Sequence, residues 1–132
     1  MEIPASAEAI AAAAEGLTSL NFKLMRVAQI GGGGFPPLYE SGIVYRREAP
    51  QHENWQNAIA LLRTRQGDCE DLAGYRASEL RMAGEPAMVE IIPTRRHSYH
   101  AIVRRGDGTI EDPSRILIAL ERARGGSPLN FK

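Results

Sequence analysis

The chain has 132 residues, a size that fits one domain with one core. Its 16 basic and 16 acidic residues give a formal net charge of zero, which disfavours nucleic acid as a partner. A single cysteine excludes an internal disulfide and a cysteine-rich zinc site. The N-terminal segment lacks the basic start and apolar block of a secretory signal, and no run is long enough to span a membrane. We therefore expect a cytoplasmic protein with no membrane segment and no signal peptide.

The first predicted element is a helix over residues 6–29. Apolar residues recur there at three- and four-residue spacing, at Leu17, Leu20, Leu24 and Val27. Gly16 leaves open whether the segment forms one bent helix or two. Its alanine-rich start is a candidate surface for a partner or for a second copy of the chain, so a homo-oligomer through this helix is one expectation.

A run of four glycines, residues 31–34, follows this helix. A phosphate-binding loop would need a strand before the glycines and, in the P-loop, a Lys-Ser/Thr pair after them, and the chain has neither. A flexible hinge is the better interpretation. We therefore divide the chain into an N-terminal helical extension with its hinge, residues 1–34, and a main domain, residues 35–132.

The main domain begins with a loop, a short extended segment at residues 43–45 and a second predicted helix. The sequence HENWQNAIALLRTRQG predicts that helix, with Trp55, Ala58, Ile59 and Leu62 on one face and Gly67 at its end.

A third helix is predicted to begin at the only cysteine and to run to about Ala83. Asp68 is a good N-cap, and Asp71 three positions later completes an arrangement like a capping box. One stripe of this helix carries mostly small residues, at Cys69, Ala73, Ala77, Leu80 and Gly84. The helix is therefore expected to lie close against another layer.

After Pro86 the sequence predicts strands: AMVEII, then SYHAIVR, the turn RGDG, and TIED. Alternation puts His100 and Ile102 on one face of the second strand and Tyr99, Ala101 and Val103 on the other. Residues 114–126 fit either a helix capped by Ser114 or a short strand leading into a helix. Helices followed by an antiparallel sheet predict an α+β fold.

Three residues of this order form a candidate for nucleophilic chemistry. A cysteine nucleophile needs a base to take its proton and a third group to orient that base. Cys69 lies at a predicted helix start, His100 lies within a strand, and Asp112 ends the next strand. His52 and His97 lie in polar segments and are weaker candidates for the base. Each triad residue taken alone is more typical of a structural role, so the hypothesis depends on the combination.

The hairpin turn makes this hypothesis testable. If residues 106–108 form a three-residue loop with Gly108 in the left-handed conformation, Ile102 pairs with Asp112. Asp112 then lies on the face of His100, within side-chain reach. A two-residue loop would place Asp112 opposite Val103, on the wrong face.

Metal binding by Cys69, His97 and His100 is a further alternative. His97 and His100 are three positions apart along a strand and so point to opposite faces, and typical zinc spacings are absent. We therefore expect no metal and no cofactor.

These motifs resemble the transglutaminase-like superfamily, whose fold is related to papain-like cysteine peptidases. The similarity lies in GDCEDLAGYRASELRMAGEPA, YHAIVRR and TIEDPSR, within residues 53–115, and PPLYESGIVYRREAP is similar to the lead-in of short phage and prophage members. The resemblance implies a papain-like triad of Cys69, His100 and Asp112. Larger relatives often have an aromatic residue directly after the histidine, where this chain has Ala101.

The resemblance further implies a cysteine-dependent enzyme that hydrolyses a peptide or isopeptide bond, or transfers an amide to an amine, through an acyl-thioester. Residues 35–132 would be the catalytic domain, a papain-like fold with the nucleophile helix packed on a small antiparallel sheet, and the substrate a protein or peptide. The Cys69 backbone N–H would bind the oxyanion, with Gln66 or Trp55 as a second donor. The alternative is a weak or inactive relative that serves as a phage assembly or protein-binding module.

Overall fold

The computed structural model describes residues 7–47, 55–95 and 98–125. These residues form four α-helices: α1 (Ala7–Ile30), α2 (Ala58–Thr64), α3 (Cys69–Met82) and α4 (Pro113–Ala123). They also form five strands: β1 (Val44–Tyr45), β2 (Gln66–Gly67), β3 (Met88–Pro93), β4 (Tyr99–Arg104) and β5 (Ile110–Glu111). Strands β1 and β2 pair in parallel, and the others form an antiparallel sheet in the order β3-β4-β5. The predicted α+β class is confirmed.

Helix α1 is one continuous helix, so Gly16 does not divide it. The leucine spacing predicted the helix but not its buried face, since Leu20 and Val27 are exposed. The buried face instead carries small, polar and a few larger apolar residues: Ile10, Ala14, Thr18, Asn21 and Met25. The reason lies in α3, whose Ser78 hydroxyl donates a 2.8 Å hydrogen bond to the Thr18 carbonyl oxygen and so makes this interface partly polar.

Helix α1 contributes to both clusters of core residues in the described part of the chain. Ala14 packs in the cluster that contains Cys69, and Met25 packs in the second cluster. The division of the chain at residue 34 stays a prediction. No helix among the described residues is long and apolar enough to cross a membrane.

Helix α2 differs from its prediction at both ends. It begins after Asn57, whose side chain accepts a 2.9 Å hydrogen bond from the Ala60 N–H, so Trp55 lies before the helix. It ends at Arg65, a left-handed residue with φ of 63°, and not at Gly67. Gly67 belongs to β2 and pairs with Tyr45 of β1. The predicted helical face through Trp55 was therefore wrong.

Helix α3 has its predicted start and packs against α1 and against β3 and β4, while α1 also contacts β3 directly. Ala73 and Ala77 are fully buried, as the small-residue stripe predicted, whereas Gly84 at its end is exposed. The segment after β5 forms helix α4, which settles the open choice there. Its N-cap is Asp112 and not the predicted Ser114.

Candidate active site

The β4–β5 hairpin has the register that the triad hypothesis requires. Val103 pairs with Glu111, and Arg104 pairs with Ile110. The loop between the strands comprises residues 106–108, and Gly108 has a φ of +89°. Continued by one pair, this register sets residue 102 opposite Asp112. The predicted three-residue turn is confirmed.

His100 and Asp112 are in direct contact. The His100 Nε2 atom lies 2.9 Å from Oδ2 of Asp112. The other carboxylate oxygen, Oδ1, accepts a 3.3 Å hydrogen bond from the backbone N–H of Arg115 and so caps α4. One carboxylate therefore both contacts the His100 ring and caps α4. Because Nε2 is used by Asp112, Nδ1 is the ring nitrogen left for a second partner.

Cys69 is the first residue of α3 and is buried, with 7% of its surface exposed. The predicted capping box is present: the Asp68 side chain caps the helix, and the Asp71 Oδ2 atom accepts a 3.1 Å hydrogen bond from the Asp68 N–H. The thiol donates to Oε1 of Glu70, with Sγ and Oε1 3.6 Å apart. The backbone N–H of Ala101 lies close enough to the sulfur to lower the pKa of the thiol.

The contact with Ala101 follows from the strand pairing. The Thr94 N–H donates to the Ser98 carbonyl oxygen, so even-numbered residues of β4 direct their backbone groups toward β3. Odd-numbered residues direct theirs toward β5, which ends at Glu111. The register would pair Ala101 with Pro113, which has no N–H and already begins α4. An open strand edge therefore exists beside Ala101, and the Cys69 sulfur lies there.

The sulfur thus contacts the peptide group that directly follows His100. Within the described residues, no hydrogen bond joins the thiol to the His100 ring, and the thiol hydrogen bonds to Glu70 instead. Of the three predicted residues, the structure joins His100 to Asp112 and brings Cys69 to the same strand.

Burial raises the pKa of the Cys69 thiol, and the negative charge of Glu70 raises it further. The Ala101 N–H lowers this pKa and offsets only part of the rise. The thiol is therefore protonated near neutral pH in this arrangement. Tyr45 lies close to these groups, since burial first and then the charges of Asp68 and Cys69 raise the pKa of its phenol.

The three candidate oxyanion donors differ in their availability. The Cys69 N–H donates a 2.7 Å hydrogen bond to Oδ1 of Asp68, so this predicted donor is occupied. The Trp55 indole packs against the cluster that contains Cys69, and its Nε1–H is buried without a hydrogen-bond partner in the described structure. Gln66 is exposed on β2. Among the three candidates, Trp55 therefore combines an unpartnered N–H with packing against the cluster that contains Cys69.

Sequence reasoning missed the hydrogen bond between Glu70 and the thiol, and it missed the packing of Tyr45 against the cluster that contains Cys69. The sequence places Glu70 next to Cys69 along the chain, but no pattern in it predicts that the Glu70 side chain is buried beside the sulfur. The pairing of Tyr45 with Gly67, next to the Asp68 cap, depends on a parallel strand contact for which the sequence had no signal.

Metal ligation was also considered for this region. Ligand atoms of Asp68, Cys69 and Glu70 lie within 4.8 Å of one another, but Asp68 Oδ1 is already used by the helix cap. The predicted alternative set includes His97, which lies outside the described residues, as does His52.

Comparisons with protein-family models, with curated proteins and with solved structures found no match to this chain. The transglutaminase-like resemblance therefore stays a prediction, based on the three motifs.

Proposed function

We propose that this protein is a cysteine-dependent enzyme of the transglutaminase-like type, with a papain-like fold, that acts on an amide bond in a protein or peptide. The observation that carries the proposal is the contact between His100 and Asp112, on the strand whose next peptide group meets the Cys69 sulfur. Thiol acyl chemistry needs a histidine oriented by a carboxylate and a thiol that can reach it, and the proposal requires the Cys69 side chain to turn toward the His100 ring.

In this mechanism the thiol first turns from Glu70 toward Nδ1 of His100. His100 takes the thiol proton, and the Asp112 carboxylate stabilises the resulting imidazolium through Nε2. The thiolate attacks the amide carbonyl carbon, and the Nε1–H of Trp55 binds the oxyanion that forms. The imidazolium then gives its proton to the leaving amine, which leaves an acyl-thioester on Cys69.

Water or a second amine ends the cycle by attacking the thioester, with His100 as the base that takes its proton. The first outcome is hydrolysis, and the second is amide transfer. Both outcomes use the same residues, so the geometry supports acyl chemistry in general and favours neither acceptor.

The proposal is tested by alkylation of the whole protein with iodoacetamide across a pH series. We expect His100→Ala to slow the alkylation of Cys69 by at least about tenfold near neutral pH, because a neighbouring imidazolium favours the thiolate. Ile92→Ala is the matched control, since Ile92 is paired with His100 on the neighbouring strand but carries no titratable group. An unchanged alkylation rate and pH profile in His100→Ala would contradict the enzyme proposal.

A second candidate is an inactive relative that serves as a phage assembly or protein-binding module. It is favoured by the resting contacts of Cys69, whose thiol hydrogen bonds to Glu70 and whose N–H donates to Asp68. In that case Cys69→Ser would leave binding to a partner unchanged, and wild-type protein would release no labelled peptide from fluorescent casein.

A further inference from the structure

The Glu70 side chain is buried beside the proposed nucleophile but has no part in the mechanism above. Only 1% of Glu70 is exposed, and its Oε1 atom is 3.6 Å from the Cys69 sulfur. The two residues are consecutive in the first turn of α3, where neighbouring side chains diverge, so their contact depends on the orientation of the buried Glu70 side chain. A carboxylate in this position accepts the thiol proton in a hydrogen bond.

We propose that Glu70 is a positioning residue that holds the Cys69 thiol protonated and turned away from His100, so that the enzyme rests in a latent state. This inference rests on the proposed function for its biological meaning. Activation is then a change of hydrogen-bond acceptor: the S–H leaves Glu70 Oε1, and its proton passes to Nδ1 of His100. Glu70 only loses its hydrogen bond to the thiol in this step, so no other proton moves.

Other charged and titratable groups also act on this thiol or lie on the elements around it. Asp68 caps the same helix and Tyr45 lies on β1, while His100 and Asp112 pair with each other at β4 and the start of α4. Glu70 differs from them because it alone forms a side-chain hydrogen bond with the sulfur among the described residues. Its burial also limits screening of its charge by water, which makes its effect on the thiol larger than that of an exposed acid.

The matched test is Glu70→Gln, which keeps the volume and removes the charge. We expect the thiol pKa, followed by the ultraviolet absorbance of the thiolate, to fall by about one unit, which is about tenfold more thiolate at a fixed pH. Alkylation by iodoacetamide should then become about threefold faster, because a thiolate of lower pKa is also a weaker nucleophile. Glu70→Met, which has no carboxylate to accept the proton, should change both quantities in the same direction.

Glu79→Gln is the control, because Glu79 is on the same helix but about 14 Å further along its axis than Glu70. Its carboxylate accepts from the Leu38 N–H at 2.9 Å, so any general effect of losing a partly buried carboxylate on α3 appears there too. An unchanged or higher thiol pKa in both Glu70 variants overturns the inference.

The two proposals fail separately. If His100→Ala leaves alkylation unchanged while Glu70→Gln accelerates it, the latent state exists and the enzyme proposal is wrong. If His100→Ala slows alkylation and the Glu70 variants do nothing, the triad stands without a latency device. Thermal unfolding of each variant confirms that the comparison is made between folded proteins.

Discussion

The His100 Nε2 atom lies 2.9 Å from an oxygen of Asp112, the residue that also caps α4. The orientation of the imidazole is therefore tied to the start of a helix. The same helix start ends the pairing of β5 with β4 and opens the edge at Ala101 where the Cys69 sulfur lies. The Asp112 cap thus contacts the His100 ring, and Pro113 after it leaves open the strand edge near the thiol.

Two substitutions of Asp112 should separate its roles. Asparagine is as good an N-cap as aspartate, so Asp112→Asn should keep the free energy of unfolding within about 0.5 kcal/mol, whereas Asp112→Ala should lose about 1 kcal/mol. Asparagine has only one carbonyl oxygen for the Arg115 N–H and His100, and it carries no charge. In both variants, most of the His100-dependent part of the Cys69 alkylation rate should therefore be lost. Iodoacetamide alkylation measures that rate, and urea unfolding measures the stability of the same variants.

The control for the asparagine variant is Asp107→Asn in the exposed hairpin loop, where Oδ1 accepts from the Thr109 N–H at 3.0 Å. It removes the same charge from the same hairpin and should leave alkylation unchanged. Full retention of the alkylation rate by Asp112→Asn would show that the carboxylate does not assist His100.

Trp55→Phe tests the proposed oxyanion donor. The variant removes the unpartnered Nε1–H and keeps an aromatic ring against the Cys69 cluster. Hydrolysis of labelled casein should fall by about 100-fold, the lower range for loss of one oxyanion donor. Alkylation forms no oxyanion, so its rate should not change. Equal losses in the two reactions would instead indicate a packing role for the indole.

Local signals explain how much of the site the sequence could predict. The Asp68 and Asp71 capping box set the start of α3 correctly, and Gly108 in the turn set the register that brings Asp112 to His100. Each of these predictions needs only residues within a few positions of one another, where backbone chemistry is decisive.

The remaining features depend either on a contact between distant segments or on a choice between local alternatives that the sequence does not decide. The parallel pairing of Tyr45 with Gly67 has no local pattern, and the displacement of Trp55 from the predicted helix depends on the Asn57 cap. Which atom accepts the thiol proton depends on how the side chains around Cys69 are oriented. Sequence could place Glu70 next to Cys69 but could not tell that their side chains meet.

Glu85→Gln should weaken the hairpin in a pH-dependent way. The Glu85 carboxylate accepts from the Arg105 guanidinium and from the Gly106 N–H at 3.0 Å, so it holds the turn that sets the register of Asp112. The Arg105 hydrogen bond lowers the pKa of Glu85 from 4.5 to about 2. A folded-state pKa below the unfolded value means that the stabilisation is complete above pH 4.5 and disappears as the pH falls toward 2.

Urea unfolding of wild type and Glu85→Gln at a series of pH values measures this effect. The variant should be the less stable protein near neutral pH, and the difference should shrink below about pH 4.5 and vanish near pH 2. Curves that stay parallel over the whole series would contradict a role for the Glu85 charge.

Gly67→Ala tests why a glycine precedes the cap of α3. An added Cβ would lie 2.5 Å from Cδ2 of the fully buried Leu61 and 3.1 Å from Cβ of Asp71. Both neighbours must then move, and we expect a loss of about 1–3 kcal/mol in the free energy of unfolding, as for other overpacked sites. Because Asp71 completes the capping box, the Cys69 alkylation rate should change as well.

Gly16→Ala is the matched control for that substitution. Gly16 lies in the interior of α1, with nothing within 4 Å of an added Cβ. Alanine there should raise the free energy of unfolding by up to about 1 kcal/mol, because it is the better helix former, and should leave Cys69 alkylation unchanged. If Gly67→Ala proved as stable as Gly16→Ala, the close packing around Gly67 would not be what requires a glycine before the cap. A less stable Gly67→Ala whose Cys69 alkylation rate also changes would show that the glycine before Asp68 helps to place the thiol.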